Sequence, residues 1–480
     1  MKSISVKEII KATGATLLCG NEDIIIEGAS INSRQINEND LFIPIVGEKV
    51  DAHKFMFDAL KTGASVSFTS KHTKEDVENE SLSDDKAVLK VDDTLRALQA
   101  LAQYSRSRFN LPLVGITGSV GKTTTKEMVA TALEAKYNTL RTEGNLNSQI
   151  GLSLMMLRFE DAHEAAVIEM GVSEEGEMNR LVAIAKPEFA VMTNIGMSHI
   201  NQFKKKENTR REKLNIIDYF KEKSVLYVNA DDELLREIAQ YKNNPQKEML
   251  IDDETKKALD KCKVTTFGTS PEYDFYATDI VTGSDGMEFT CNAKDGRSVP
   301  VKLNVPGMHN VINALAAIAV ADGVGISMED AAKALLSYKT IAMRGTIIDN
   351  GKFKIIDDTY NASPDSIKSG IDVVTGIKDA TRKYAVLADV LELGEVSHDC
   401  HYEVGKYVAA SSVDELVTVG NEAKYIAKAV NDAGVDKKVV SFDSNEDAIN
   451  YLKDTVTDGA VLLVKGSRGM HMDEIVKALS

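Results

Sequence analysis

Continuous apolar runs separated by helical stretches dominate the middle of the chain. Ala165-Ala-Val-Ile-Glu-Met, Phe189-Ala-Val-Met-Thr-Asn-Ile and Ser224-Val-Leu-Tyr-Val-Asn-Ala lack the alternation of a half-exposed strand. They predict strands of a parallel sheet buried on both faces. Residues 112–117 predict another such strand, followed by a helix over 122–136. Between Val264 and Val305 the texture changes to alternation, as in Met287-Glu-Phe-Thr-Cys-Asn and Val299-Pro-Val-Lys-Leu-Asn-Val, which fits a small antiparallel appendage. An Ala-rich helix over 310–321 follows and is expected to pack back on the sheet.

After about residue 342 the strand–helix alternation restarts. Phe353-Lys-Ile-Ile-Asp-Asp, Tyr384-Ala-Val-Leu-Ala-Asp, Glu415-Leu-Val-Thr-Val-Gly, Lys438-Val-Val-Ser-Phe and Ala460-Val-Leu-Leu-Val-Lys each precede a helical pattern, so a doubly wound domain is expected. The segment before residue 90 mixes short strands and helices, as in Asp23-Ile-Ile-Ile-Glu-Gly and Asp40-Leu-Phe-Ile-Pro-Ile-Val, and ends in a polar stretch over 71–86. A helix carrying Leu95, Leu98 and Leu101 then leads into the middle. The pattern predicts an α/β chain of three domains, over residues 1–94, 95–342 and 343–480.

Composition narrows the function classes. A chain of 480 residues is too long for one core, and its 43% hydrophobic and 27% charged residues describe a protein folded throughout. With 57 basic and 73 acidic residues the net charge is -16, which disfavours nonspecific binding to nucleic acid or anionic membrane. A phosphate-bearing ligand must then be held by local donors. The N-terminus lacks an apolar signal core, and no stretch approaches the roughly 18 apolar residues of a membrane span. A cytoplasmic protein without membrane insertion is expected, working as a monomer. Cys19, Cys262, Cys291 and Cys400 are scattered, which suggests neither a zinc knuckle nor a disulfide framework.

The run Gly115-Ile-Thr-Gly-Ser-Val-Gly-Lys-Thr-Thr-Thr125 sits between a predicted strand and a predicted helix. Glycines let backbone N–H groups crowd around phosphate oxygens, and the helix N-terminus adds a positive dipole. Gly118, Ser119, Val120, Gly121 and Thr124 would line the loop, Lys122 would neutralise β- and γ-phosphates, and Thr123 could ligate Mg²⁺. The strict spacing G-x4-G-K-[ST] is missed, because Ile116 stands where the first glycine belongs.

Other chemistry clusters at predicted strand ends. Ile168-Glu-Met-Gly171 places Glu169, and Thr193-Asn-Ile-Gly-Met-Ser-His199 places His199, where both could serve as metal ligands beside the phosphate loop. In a helix predicted over 211–220, Lys213, Ile217 and Phe220 share one stripe. Lys213 is either a snorkelling lysine or a buried neutral amine open to modification. Gly307-Met-His-Asn-Val-Ile-Asn313 offers amides at a helix start, where simple N-capping is the plainer reading. Asp357-Asp-Thr-Tyr-Asn-Ala-Ser-Pro-Asp-Ser366 reads as a ligand loop or as a helix start.

Taken in order, these pieces resemble the ATP-dependent Mur ligases of peptidoglycan synthesis. The resemblance runs over essentially the whole chain: Asn32-Ser-Arg34, the phosphate loop, Gly144-Asn145 with Asn147, Glu169-Met-Gly, Asn194-Ile-Gly with His199, Lys213, His309-Asn310 with Asn313, Arg344, Asp358 with Tyr360-Asn-Ala, Asp389 with Leu391-Glu-Leu-Gly394, and Lys465-Gly-Ser-Arg468. Asn32, Ala52 and Ser148-Gln149 stand where the family usually has aspartate, glycine and an Asn-Glu pair.

The resemblance implies a small α/β domain for the UDP end of the substrate, a central P-loop domain, and a Rossmann-like last domain that binds the incoming amine and closes over the nucleotide. It points to the branch that joins D-alanyl-D-alanine to a UDP-N-acetylmuramoyl-tripeptide through an acyl phosphate. In that scheme Ser33 and Arg34 contact UDP, and Asn310 and Asp358 meet adenine and ribose. Lys122 and Arg344 screen the phosphates, while Thr123, Glu169, His199 and a carbamylated Lys213 hold Mg²⁺. Asn145, Asn147, Asn361, Asp389, Glu392, Lys465, Ser467 and Arg468 are implied substrate contacts. The alternatives are another Mur-type ligase, a folylpolyglutamate-type ligase, which typically lacks the first domain, and a noncatalytic nucleotide-binding homologue.

Overall fold

The computed structural model describes residues 1–244, 249, 253–283 and 286–480. A nine-stranded sheet forms its centre. From one edge it runs Thr139–Arg141, Ala165–Glu169, Leu113–Thr117, Phe189–Met192, Val225–Asn229 and Lys263–Gly268, all parallel. Phe275–Thr282 then joins in parallel, and Met287–Ala293 and Ser298–Leu303 continue the sheet as antiparallel neighbours. The expected antiparallel appendage is therefore an extension of the central sheet, joined through the Phe267–Phe275 and Gly268–Tyr276 register. The Ala-rich helix, Met308–Gly323, buries Ala314, Ala316, Ala317 and Ala319 against the sheet. Its small side chains allow the close approach that a long helix over a sheet needs.

The last domain holds a six-stranded sheet in the order Thr346–Asp349, Lys354–Asp357, Val461–Lys465, Lys383–Ala388, Glu415–Val419 and Lys438–Phe442. Its strands are parallel except for the first, an antiparallel edge not anticipated from the sequence. Thr346–Asp349 has only half-buried and exposed residues, so it carries no apolar run to announce it. A five-stranded sheet near the N-terminus has the order Thr16–Cys19, Ala87–Lys90, Val66–Thr69, Asp40–Phe42 and Gly28–Ser30.

Helix Thr94–Ser107 joins the first two units. Leu98 and Leu101 belong to the N-terminal core, while Ala102 of the same helix packs in the central core. No helix among the described residues is long and apolar enough to cross a membrane.

Candidate functional site

Strand Leu113–Thr117 lies between Phe189–Met192 and Ala165–Glu169, so three strand ends converge where the glycine-rich loop turns into helix Lys122–Leu133. Gly118 has φ 148°, and a Cβ there would overlap the Thr193 hydroxyl. Only glycine fits such an approach. Asn194 pins the loop from the neighbouring strand: its side-chain carbonyl accepts from Val120 N–H at 2.8 Å, its amide donates to the Val120 carbonyl at 3.1 Å, and its own carbonyl accepts from Ser119 N–H at 3.0 Å. Thr125 donates to Asn313 at 2.9 Å, tying the loop helix to helix Met308–Gly323. Asn194 and Asn313 stand in the sequence motifs, but their anchoring roles depend on strand order.

Lys122 donates to the carbonyls of Gly118 and Ser119 at 2.9 and 3.3 Å. It keeps partial exposure to the cleft, yet desolvation lowers its pKa; Glu169 opposes that shift and Arg344 adds to it. Thr123 donates to Glu169 Oε2 at 2.9 Å and Asn147 donates to Glu169 Oε1 at 2.8 Å. Glu169 is 2% exposed. A hydroxyl and a carboxylate fixed beside a phosphate loop are hard oxygen donors, and Mg²⁺ is characteristically held by one or two carboxylates together with substrate phosphates. The residues present thus fit that ion, although the described residues hold no cluster of three or more acidic, histidine or cysteine side chains.

Lys213 is 2% exposed and no hydrogen bond to its Nζ is found among the described residues. Burial pushes its pKa well down, the Lys122 charge adds to this, and Glu212 and Glu177 oppose it. Its helix runs Lys206–Leu214 and tightens into a 3-10 turn over Asn215–Ile217, so the helix expected over 211–220 begins earlier and ends sooner. The turn is held by Asn215, which donates to Asn179 and accepts from Thr255. His199 has φ 55°, and its Nδ1 lies 3.0 Å from Glu392 Oε2. Desolvation lowers the His199 pKa, Glu392 opposes this, and Lys213 and Lys122 add to it.

The last domain supplies the facing wall of a 610 Å³ cleft. Arg344 stacks on Tyr360 with its guanidinium carbon 3.8 Å from the ring centre. Lys465, 2% exposed, donates to Asp358 Oδ2 at 2.6 Å and to the Asn361 carbonyl at 3.0 Å. Asn310 lies inside the first turn of its helix rather than at the cap, and donates to the Pro306 carbonyl at 2.6 Å. Ser363 caps helix Pro364–Gly376, so the Ser-Pro-Asp element is a helix start adjoining the Asp358–Asn361 loop.

The cleft unites Ser119, Val120, Gly121, Thr124, Asn145 and Asn147 from the central side with Arg344, Asp358 and Asn361 from the other. Asp389 is not on this wall. Its carboxylate accepts from Asn421 and Ala423 N–H at 3.1 and 2.7 Å, and it is 8% exposed, so it builds the loop instead of facing an incoming dipeptide. Ser467 likewise accepts from Leu391 N–H at 2.9 Å. Arg468 is exposed and 3.4 Å from Asp473, and Glu392 is turned to His199. Ser33 and Arg34 form a 3-10 turn capped by Asn32 on the N-terminal domain, apart from the cleft.

Glu177 is a cleft residue that sequence reasoning did not pick out. Burial raises its pKa, but the amides of Ser173 and Glu174 and the Ser173 hydroxyl outweigh it, leaving a lowered value. Glu212 caps the same helix, Glu177–Ala185, by accepting from Gly176 and Met178 N–H at 2.8 and 2.7 Å. Nothing in the spacing of Glu177, Glu212 and Lys213 signals that the two carboxylates act on the lysine.

Comparison with known proteins covers every part of this architecture. Residues 25–106 match the Mur ligase family catalytic domain, 116–321 the Mur ligase middle domain and 343–468 the Mur ligase glutamate ligase domain. The UDP-N-acetylmuramoyl-tripeptide–D-alanyl-D-alanine ligase of Bacillus subtilis (strain 168) is 34% identical over 477 residues, which span 99% of this chain and 97% of that protein. A crystal structure of MurF from Acinetobacter baumannii superposes with a TM-score of 0.86 at 28% identity, covering 100% of this chain and 99% of that one. MurF ligase from Thermotoga maritima in complex with ADP gives a TM-score of 0.79 at 27% identity, over 94% and 96% of the two chains.

Proposed function

Because this chain belongs to the Mur ligase family, we propose that it joins D-alanyl-D-alanine to a UDP-N-acetylmuramoyl-tripeptide at the expense of ATP, in peptidoglycan precursor synthesis. The observation that carries this reading is the end-to-end match to a ligase of that activity, at 34% identity over 99% of the chain. In the first half-reaction the terminal carboxylate of the tripeptide attacks the γ-phosphorus, forming an acyl phosphate and releasing ADP. In the second, the dipeptide amine adds to the acyl carbon, and the tetrahedral adduct collapses to the amide, inorganic phosphate and a proton. A carboxylate is a poor electrophile until one of its oxygens becomes a leaving group.

Residues 1–94 would hold the UDP end, with Ser33 and Arg34 as contacts; 95–342 would bind the nucleotide; and 343–480 would bring the dipeptide. Lys122 would leave its two carbonyls for the phosphates, lowering the repulsion between the anionic nucleophile and the γ-phosphate. Arg344, held on Tyr360 across the cleft, adds the second charge. Asn310 and Asp358 would meet adenine and ribose. Thr123, Glu169 and His199 would hold Mg²⁺, which when bound neutralises phosphate charge and orients the transferred group. Lys213 would react as a free amine with CO2, losing a proton to give a carbamate that supplies a further oxygen ligand. Its buried amine with a strongly lowered pKa supports that step. The substrates are water-borne, so the reaction belongs in the cytoplasm, and one chain carries both cleft walls, so a monomer suffices.

Phosphate release across a matrix of UDP-muramoyl peptides and amine acceptors tests the reading. Release is expected only with a tripeptide donor and a dipeptide acceptor, and equal turnover with single D-alanine or L-lysine overturns it. For Lys213, a carbamate ¹³C resonance is expected in wild-type protein under ¹³CO2 and absent from Lys213→Arg, which also loses turnover. A fully active arginine variant overturns the carbamate.

A further inference from the structure

The contact between His199 and Glu392 crosses from the central unit to the last domain. Glu392 is 69% exposed, so the contact lies at the surface, but three features fix the segments that present it. Ile200, 6% exposed, belongs to the same apolar core as Val390 and Leu393, and the half-buried Met197 packs on that core, so the segment carrying His199 is anchored on the last domain. Gly394 lies so close to Asn201 that any side chain there would collide with the Asn201 amide. His199 and Glu392 both have positive φ, 55° and 64°, a sparsely populated region kept where the surrounding structure enforces it.

The loop that presents Glu392 is itself fixed from below. Val390 N–H donates to His401 Nε2 at 2.9 Å, so that nitrogen is unprotonated and Nδ1–H donates to the Ser397 carbonyl at 2.7 Å. Leu391 N–H donates to Ser467, and Ser467 N–H donates to the Asp389 carbonyl at 3.1 Å. A loop held at consecutive residues by buried groups delivers the next carboxylate to a defined place.

We propose that Glu392 is a positioning residue for His199: on contact between the two domains it accepts from Nδ1–H, which holds the imidazole, a cleft-lining side chain, in the tautomer whose Nε2 is an unprotonated donor atom. A carboxylate on the far nitrogen is the usual way a protein orients an imidazole whose other nitrogen must act as a donor atom. The arrangement makes the His199 side of the site complete only when the last domain is docked, coupling closure to the chemistry. The inference rests on the ligase reading for its consequence but not for its geometry, and it replaces the expectation that Glu392 meets the dipeptide.

Two measurements on the full chain test it. In steady-state kinetics, Glu392→Ala is expected to lower kcat by about 10–100-fold with KM for D-alanyl-D-alanine unchanged. Glu392→Gln still accepts from Nδ1–H and should recover most of that loss. In the ligand-free protein, distances between spin labels on the central and last domains should lengthen and broaden in Glu392→Ala and stay near wild type in Glu392→Gln. A raised dipeptide KM with kcat preserved in both variants overturns the proposal and makes Glu392 a substrate contact. Unchanged label distances in Glu392→Ala also overturn it. If the wild-type chain shows no dipeptide-dependent phosphate release, the ligase reading fails, while the distances still report on the contact.

Discussion

Lys122 is half-buried and, among the described residues, its amine is anchored only by two backbone carbonyls of its own loop, so it contributes charge more than stability. Lys122→Ala is expected to lower kcat by about 10²–10³-fold, the cost of one donor to a transferring group, while leaving the thermal midpoint of the ligand-free protein unchanged. Turnover assays beside thermal melts check both halves. His401 is the opposite case, a buried group serving structure. Burial lowers its pKa below the ordinary 6.5, the Ser397 carbonyl opposing. The fold therefore keeps it neutral at pH values where the unfolded chain binds a proton. Unfolding takes up that proton, so its contribution is whole above 6.5 and stability falls as pH drops below it. His401→Gln is expected to flatten the slope of melting temperature between about pH 6.5 and 5, measured against wild type so that other histidines cancel.

At the level of elements, the glycine loop and the joining helix carry different loads. Gly118→Ala puts a methyl group into the Thr193 hydroxyl at a φ of 148°, so the loop must move. Nucleotide affinity measured by calorimetry should fall sharply, whereas Gly144→Ala, which meets open space and carries only the strain of its φ of 53°, should cost less. Helix Thr94–Ser107 is shared between two cores, and Leu98 is fully buried in one of them. Leu98→Ala should cost about 2–5 kcal/mol in chemical denaturation. Because Ala102 anchors the same helix in the central core, the loss should move the unfolding of both units together. The helix was legible from its apolar spacing. That it belongs to two domains was not, because Leu98 and Ala102 carry no mark of which core receives them.

For the whole molecule, the cleft closes only by joining two sheets that are distant in sequence, and a nucleotide there should tie them. Mg-ADP at about a hundredfold excess over Kd should add about 2.7 kcal/mol to stability, an increment absent from Lys122→Ala if its affinity is lost. Thermal melts with and without the ligand read this directly. The strands flanking the phosphate loop, the loop itself and the restart of strand–helix alternation near residue 342 were readable because each is a local pattern: a continuous apolar run, a glycine spacing, a period. The edge strand Thr346–Asp349 lacked that pattern, being only partly buried. Glu169 and His199 could be placed at strand ends, since a parallel sheet gathers such ends on one side. The sequence by itself thus determined the kind of sheet, the phosphate-binding loop and the family resemblance. Only the tertiary structure decided that Asp389 caps a loop, that the charges of Glu177 and Glu212 act on Lys213, and that Glu392 meets His199. The reason is that a side chain's partner across a domain boundary is set by how sheets are ordered and docked, and no local repeat along the chain encodes that distance.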